Sequence, residues 1–417
     1  MDRFIINGGK KLSGEIAVSG AKNATLPVMA ATILAGGEFV LENIPNLIDI
    51  KLMGHLLRML GAQIEQEEGR IYIDTTKLDG WEAPYDLVSK MRASIYVLGP
   101  LLARFGKAKV SFPGGCAIGT RPVDLHLMAM EKLGANIKIE HGYIIAECEK
   151  LKGADITFRK VSVGATANSL MAAVLAEGET NLYNCAIEPE IQSFVEFLKQ
   201  MGADITGAGT SHLHIKGVAK LNPVRTEMLS DRIEAGTFLI AGAITCSEIT
   251  VTNCVPNHLG EFFDTLKHAG CGFDIVGNKI TIKPGDIINP VNITTAPFPE
   301  YPTDLQAQFM ALMSLCNGES IIEEGIFPDR FTHAAELNRL DANIKVEGNL
   351  ARVKGVKMLS GAPVMATDLR ASAALVLAGL AAQGTTEISR IYHIDRGYEN
   401  FEHKLTSLGA DIKRMKG

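Results

Sequence analysis

The segment Lys109–Val123, KVSFPGGCAIGTRPV, sets a thiol, Cys116, among Gly114, Gly115 and Gly119, in a stretch too rich in glycine to be filled by packing. A free cysteine is ordinarily a small buried hydrophobe, and that reading suits Cys185, Cys246 and Cys316 in their apolar surroundings. It suits Cys116 badly, so Cys116 is read as a reactive thiol, acidified by neighbouring Lys and Arg side chains. Pro122 keeps Arg121 out of the helix that follows, so the Arg121 guanidinium can turn toward a phosphate or a carboxylate. Pro122 itself suits the first position of that helix, whose buried stripe is predicted to be Leu125, Met128, Ala129 and Leu133.

A second set of residues stands where six Ala-rich segments begin: Lys22-Asn23, Lys90-Met91-Arg92, Val163-Gly164-Ala165-Thr166, Ser230-Asp231-Arg232, Thr303-Asp304 and Thr367-Asp368-Leu369-Arg370. Unpaired N–H groups and the dipole make a helix start positive, and anions collect there. A cation at such an end opposes the dipole unless an anion is near. Lys22, Arg92, Arg232 and Arg370 occupy equivalent places, which points to a shared polyanion site. Asp231, Asp304 and Asp368 each follow Ser or Thr, and taken singly each reads as an ordinary cap. There is no G-x-x-x-x-G-K-[ST] loop, no G-x-G-x-x-G after a strand, no H-E-x-x-H and no Cys cluster with zinc spacing. His212 and His214 share a strand face without a third ligand in reach, so they read as solvated.

The elements that position these residues come in repeats. A phrase ending in a tight turn and a short strand recurs six times, as in LLRMLGAQI, MEKLGANI, FLKQMGADI and LTSLGADI, with turn residues Gly61, Gly134, Gly202, Gly270, Asp341 and Gly409 spaced 68 to 73 apart. On the same beat, Ala-rich helices end at Gly37, Gly106, Gly178, Gly318 and Gly384, as a left-handed helix stop requires. The fourth copy has Cys246-Ser247 at that place. Units of about 70 residues exceed the usual solenoid repeat and read as small α/β modules, each with two helices separated and flanked by short strands. Three modules would make one domain and six would make two, with a seam near Leu221-Asn222-Pro223, where the proline breaks regular structure.

Composition narrows the partners. The 417 residues are 47% apolar and 21% charged, with a net charge of −6 and no basic run, values of folded domains that do not seek nucleic acid. The longest apolar stretches are too short for a membrane span. The start MDRFIINGGKK lacks a signal-peptide layout, and seven scattered cysteines fit a reducing compartment, so a cytoplasmic location is expected.

Seven motifs in order, GAKNA at 20–24, MRAS at 91–94, PGGCAIGTRPVDLH at 113–126, VGAT at 163–166, PTDLQAQF at 302–309, ATDLRA at 366–371 and DRGYE at 395–399, run the length of the chain. With them the sequence resembles the UDP-N-acetylglucosamine 1-carboxyvinyltransferase family of enolpyruvyl transferases. The resemblance implies an α/β fold, a two-lobed inverted α/β barrel of six repeated units, three per lobe, with helices inside and sheets outside. It assigns residues 21–229 to one lobe and 1–20 plus 230–417 to the other, with the active site in the cleft between them. It implies transfer of the enolpyruvyl group of phosphoenolpyruvate to the 3′-hydroxyl of UDP-N-acetylglucosamine, a reaction that calls for no metal and no organic cofactor.

By the same resemblance Lys22, Arg121 and Arg396 hold the phosphate and carboxylate of phosphoenolpyruvate, and Arg92 takes part in closing the lobes. Asn23, Arg121, Pro122, Val123, Asp124, Leu125, Lys160, Val161, Ser162, Val163, Gly164, Asp304 and Ile326 contact the UDP-sugar. Asp304 is also the base or proton relay at the sugar hydroxyl, and Asp368 and Arg370 support the site. Cys116 is the proton donor to phosphoenolpyruvate, forms a covalent adduct with it, and is the residue alkylated by fosfomycin. Two other readings stay open: the sister 3-phosphoshikimate 1-carboxyvinyltransferases, and a catalytically silent protein that binds the nucleotide sugar.

Overall fold

The computed structural model describes residues 2–88, 91–112 and 123–417. These fall into two compact units, one formed by 20–229 and the other by 2–19 with 230–417. Each has its own apolar core.

Among the described residues the strands form six four-stranded sheets of one pattern. The sheet of the third repeat illustrates it. Asp155–Thr157 pairs in parallel with Glu179–Tyr183, which pairs antiparallel with His212–Lys216, which in turn pairs antiparallel with Asp204–Thr206. The helix Val163–Ala173 makes the parallel crossover and Pro189–Gln200 links the second strand to Asp204–Thr206. On every sheet one face is apolar, as with Phe39 and Leu41, Ile280 and Ile282, or Ala351 and Val353, all essentially inaccessible. Those faces close over the Ala-rich helices. Arg232–Ile244, Gln306–Met313 and Leu369–Ala381 pack on one another and are buried nearly all round, so small residues are required on faces where a surface helix would carry charges.

Three sheets are completed by strands distant in sequence. Glu15–Ala17 precedes the helix Lys22–Ala31, yet it pairs with Ile249–Thr252 of the fourth repeat. Arg225–Glu227 precedes Arg232–Ile244, yet it pairs with Glu38–Glu42 of the first. The chain therefore exchanges one strand between units where it crosses from one to the other. Pro223 lies inside the 20–229 unit, because the strand after it returns to that unit's first sheet. The sixth sheet is closed by Arg3–Asn7, between Thr385–Ser389 and Asp411–Met415.

The turn glycines are placed where φ is positive. Gly61, Gly134, Gly202, Gly270 and Gly409 have φ from 96° to 105°, and Asp341 adopts 65° at the fifth copy. At the helix stops Cys246 takes φ 46° where the other copies have glycine. Cys185 and Cys316 are buried as expected, but Cys246 is exposed, because a residue in the left-handed position after a helix points away from the core. The stripe of the Asp124–Lys132 helix is Leu125, Ala129 and Leu133, with Met128 half-buried and His126 and Met130 buried beside them.

Candidate active site

Within the 20–229 unit, three helix starts hold expected site residues. Lys22 opens its helix, and its Nζ lies 3.3 Å from Oδ2 of Asp49, a buried carboxylate in the first turn of the helix Ile48–Met59. An internal anion thus offsets this cation beside the dipole. Asn23 next to it is exposed.

Around the start of Val163–Ala173 the centre is His126, a residue not nominated from sequence. It is 8% exposed. Burial pushes its imidazole down to about 4, with Arg92 acting in the same direction and Asp124 against it. The Asn168 side-chain amide donates to His126 Nδ1 at 3.0 Å, which leaves the ring proton on Nε2. Asn168 is fixed in turn by Ile95 O at 2.9 Å and by the Gly99 N–H at 2.7 Å. A Cβ on Gly164 would lie 3.2 Å from Cε1 and Nε2 of the imidazole, so only glycine fits there without displacing the ring. Ser162 caps this helix by accepting from the Ala165 N–H at 3.2 Å. Asp124 pairs with Arg159, Val123 and Leu125 are buried, Val161 and Val163 are half-buried, and Lys160 is exposed. Arg92, Asp124 and Gly164 are thereby gathered about one neutral imidazole. Cys116, Arg121 and Pro122 lie outside the described residues.

In the other unit the centre is Asp304. The sequence reads Asp231, Asp304 and Asp368 alike, and the structure separates them. Asp231 Oδ1 accepts from the N–H groups of Ile233 and Glu234 at 2.8 and 3.1 Å, and Asp368 Oδ1 from those of Arg370 and Ala371 at 2.8 and 3.1 Å. Both are caps. Asp304 caps nothing: it receives Arg330 Nη2 on Oδ1 at 2.8 Å and Arg370 Nη2 on Oδ2 at 2.7 Å. Burial pushes its carboxyl up, but the Arg370 and Arg330 guanidiniums outweigh that and hold it well below the ordinary carboxylate range. It is ionised at any physiological pH.

The residues around Asp304 are each fixed by several bonds. Arg370 Nη1 donates to Tyr398 Oη at 3.3 Å, and Tyr398 Oη shares a hydrogen bond with Thr237 Oγ1 at 2.8 Å. Gln308 donates to both of those oxygens at 3.1 Å and to the Asp304 carbonyl at 3.0 Å. Arg330 Nη1 donates to Thr303 Oγ1 at 2.8 Å. Thr303 donates to Glu324, a fully buried carboxylate that also accepts from Thr295 Oγ1 at 2.7 Å and from the Ile326 and Phe327 N–H groups at 3.0 Å. Asp304 and Ile326 are thus tied through Thr303 and Glu324. Arg396 is half-buried, at the end of a short 3-10 helix, Ile391–Arg396. Its neighbour Asp395 is held by Arg414 at 2.6 and 3.0 Å. Gly397 admits Leu369, whose Cδ2 would lie 2.4 Å from an added Cβ.

Arg330, Glu324 and Asp49 were not nominated from sequence. Arg330 follows Ile326 in EEGIFPDRF, where nothing local distinguishes a buried arginine from a solvated one. His212 and His214 lie on an exposed strand face, bonded across it to Asn181 at 3.1 Å and Glu179 at 3.2 Å.

Residues 6–405 match the family model for EPSP synthase (3-phosphoshikimate 1-carboxyvinyltransferase). The chain is 53% identical over 415 residues, 100% of both chains, to the UDP-N-acetylglucosamine 1-carboxyvinyltransferase of Desulfosudis oleivorans. The chain belongs to the UDP-N-acetylglucosamine 1-carboxyvinyltransferase family of enolpyruvyl transferases. The enzyme of that name from Geobacter metallireducens is 55% identical over 416 residues, again covering 100% of both chains. Among solved structures, the enolpyruvyl transferase NikO from Streptomyces tendae superposes with a TM-score of 0.90 at 27% identity, covering 100% of this chain and 99% of that one. EPSP synthase from Acinetobacter baumannii shares the fold, with a TM-score of 0.77 at 18% identity over the full length of both. No helix among the described residues is long and apolar enough to cross a membrane.

Proposed function

We propose that the chain transfers the enolpyruvyl group of phosphoenolpyruvate to the 3′-hydroxyl of UDP-N-acetylglucosamine and releases phosphate, the first committed step of peptidoglycan synthesis, in the cytoplasm. The observation that carries this is identity above 50% along the whole chain with relatives of that name. The EPSP synthase structure, at 18% identity, shares only the fold.

In this reading the sugar 3′-oxygen adds to C2 of phosphoenolpyruvate while a proton adds to C3. Phosphate then leaves from C2 as C3 gives up a proton, which restores the double bond. Addition needs an acid at carbon, an acceptor at the hydroxyl and cations for the clustered charge. Cys116 is the acid. Lys22, Arg121 and Arg396 hold the phosphate and carboxylate of the donor. Asn23, the segments 121–125 and 160–164, Asp304 and Ile326 contact the UDP-sugar, with Arg92, Asp368 and Arg370 in support. Asp304 lies between two guanidiniums that keep its affinity for protons low, so it orients the hydroxyl and relays its proton to water as the C–O bond forms. Residues of both units act on one substrate pair.

The test is incubation of purified protein with phosphoenolpyruvate and UDP-N-acetylglucosamine, reading the enolpyruvyl product by mass and phosphate release by assay. Both are expected only with both substrates present. Turnover with shikimate 3-phosphate in place of the nucleotide sugar would assign the sister reaction, and binding without phosphate release would assign a silent protein. Fosfomycin is expected to add one equivalent of mass at Cys116.

A further inference from the structure

A cavity of about 230 Å³ opens between the helix Ile48–Met59 and the strands Gln63–Glu67 and Arg70–Asp74 of the first sheet, lined by Ile50, Lys51, Gly54, His55, Arg58, Ile64, Gln66 and Ile71. Its composition is uneven. Ile50, Ile64 and Ile71 make an apolar floor, while Lys51, His55 and Arg58, one above another along the helix, are exposed at the rim. No carboxylate is among the lining residues. Arg58 Nη2 donates to the Ile64 carbonyl at 2.8 Å, which fixes its guanidinium at the edge of the cavity. The space exists because position 54 has no side chain: a Cβ there would meet nothing closer than Arg58 Nη1 at 3.8 Å and Ile64 Cδ1 at 3.9 Å. A larger residue would fit the backbone and fill the hole.

We propose that this cavity binds a small organic anion, its charged head between Lys51, His55 and Arg58 and its apolar body on the three isoleucines. A volume below the roughly 300 Å³ at which drug-sized pockets begin limits the ligand to one ring or a short chain. The first turn of the same helix carries Asp49, the residue beside Ile50 and the ion partner of Lys22. Occupancy that shifts the Ile48–Met59 helix on its sheet is therefore read out at Lys22. This second step rests on Lys22 acting on phosphoenolpyruvate, and the first does not.

Benzenesulfonate, an anion at all working pH values, is the probe, with benzamidine as the cation of matching shape. Ligand-observed NMR on the full chain measures binding to wild type, Gly54→Leu and Arg58→Glu. All three are expected to fold, since Arg58 is exposed and leucine suits a helix better than glycine. Benzenesulfonate is expected to bind wild type, with Kd at least tenfold weaker in both variants, and benzamidine not to bind. Benzenesulfonate that binds all three alike, or fails to bind wild type, overturns the site. In the enolpyruvyl transfer assay the probe is expected to change the apparent KM for phosphoenolpyruvate in wild type and not in Gly54→Leu. Probe binding lost in both variants with KM unmoved in wild type overturns the link to Lys22.

Discussion

Asparagine in place of Asp304 removes a charge from between two guanidiniums whose side chains are each only 5% exposed. Because Asp304 is a double ion partner and not a cap, Asp304→Asn is expected to lower stability as well as turnover. The rate should fall by about 10² to 10⁴ and the unfolding free energy by about 3 to 5 kcal/mol. Adding Arg370→Met should recover part of the stability and none of the rate, as urea unfolding beside the phosphate assay will show. Histidines set the acid limit of the fold. Burial drives both His126 and His333, the first residue of the helix His333–Arg339, down to about 4, whereas in the unfolded chain a histidine titrates near 6.5. Below that value the unfolded state gains protons that the folded state refuses, so stability is lost as pH falls from about 6.5 to about 4, on the order of 3 kcal/mol for each histidine. Asp304 acts in the same direction further down: its contribution is complete above the unfolded aspartate value and disappears only as pH falls through its depressed folded value. Urea midpoints measured between pH 7 and 4.5 should decline accordingly. The slope should be shallower for His333→Gln, and an unchanged slope in that variant would remove His333 from the account.

At the scale of the element, the six copies give an internal comparison of one turn. Five have glycine at a φ near 100°, and the remaining one has Asp341 at 65°, a region in which a Cβ is strained. Asp341→Gly should therefore stabilise the protein by about 0.5 to 1 kcal/mol, and Gly202→Ala should destabilise it by at least as much. Cys246→Gly at the helix stop should act like Asp341→Gly. The cap there does not depend on the thiol, since Lys11 Nζ donates to the carbonyls of Thr245 and Cys246 at 3.1 and 2.8 Å. Thermal melts of the three variants suffice, and a lower midpoint for both glycine variants would show that these side chains make contacts worth more than the strain.

For the whole molecule, the exchanged strands make the residues before Gly20 part of a core otherwise built from 230 onward. Phe4 and Ile6 are fully buried there. Phe4→Ala should cost about 3 to 5 kcal/mol. Hydrogen exchange should quicken in the strands Thr385–Ser389 and Asp411–Met415, which flank Phe4, and stay slow in the helix Val163–Ala173. Equal loss of protection in both would mean that the two units unfold as one. The proposed substrate contacts also divide between the units, with Lys22 and Asn23 in one and Asp304 and Ile326 in the other. Under the proposed function a ligand held by both is expected to hold them together. The radius of gyration in small-angle scattering should fall at saturating UDP-N-acetylglucosamine, and a constant value would count against a shared site.

What the sequence determined by itself is whatever repeats or acts locally. Six turns on a common beat, a glycine or its substitute after each Ala-rich helix, and charged residues at helix starts are all properties of neighbours in the chain, governed by φ and by the helix dipole. The sequence motifs were enough to name the family. What only the tertiary structure decided is partner choice across distance. EIA at 15–17 and RTE at 225–227 are three-residue strands, each placed just before an Ala-rich helix, and nothing in either says that they change places. Asp231, Asp304 and Asp368 have the same local context. Only packing brings Arg330 and Arg370 to one of them and turns a cap into a clamped carboxylate. His126 likewise looks like one polar residue beside an apolar stripe, and its low affinity for protons comes from burial, with Asn168 and Gly164, about 40 residues away, packed against its ring. Such pairings depend on which surfaces the sheets bring together, a quantity no window of sequence contains.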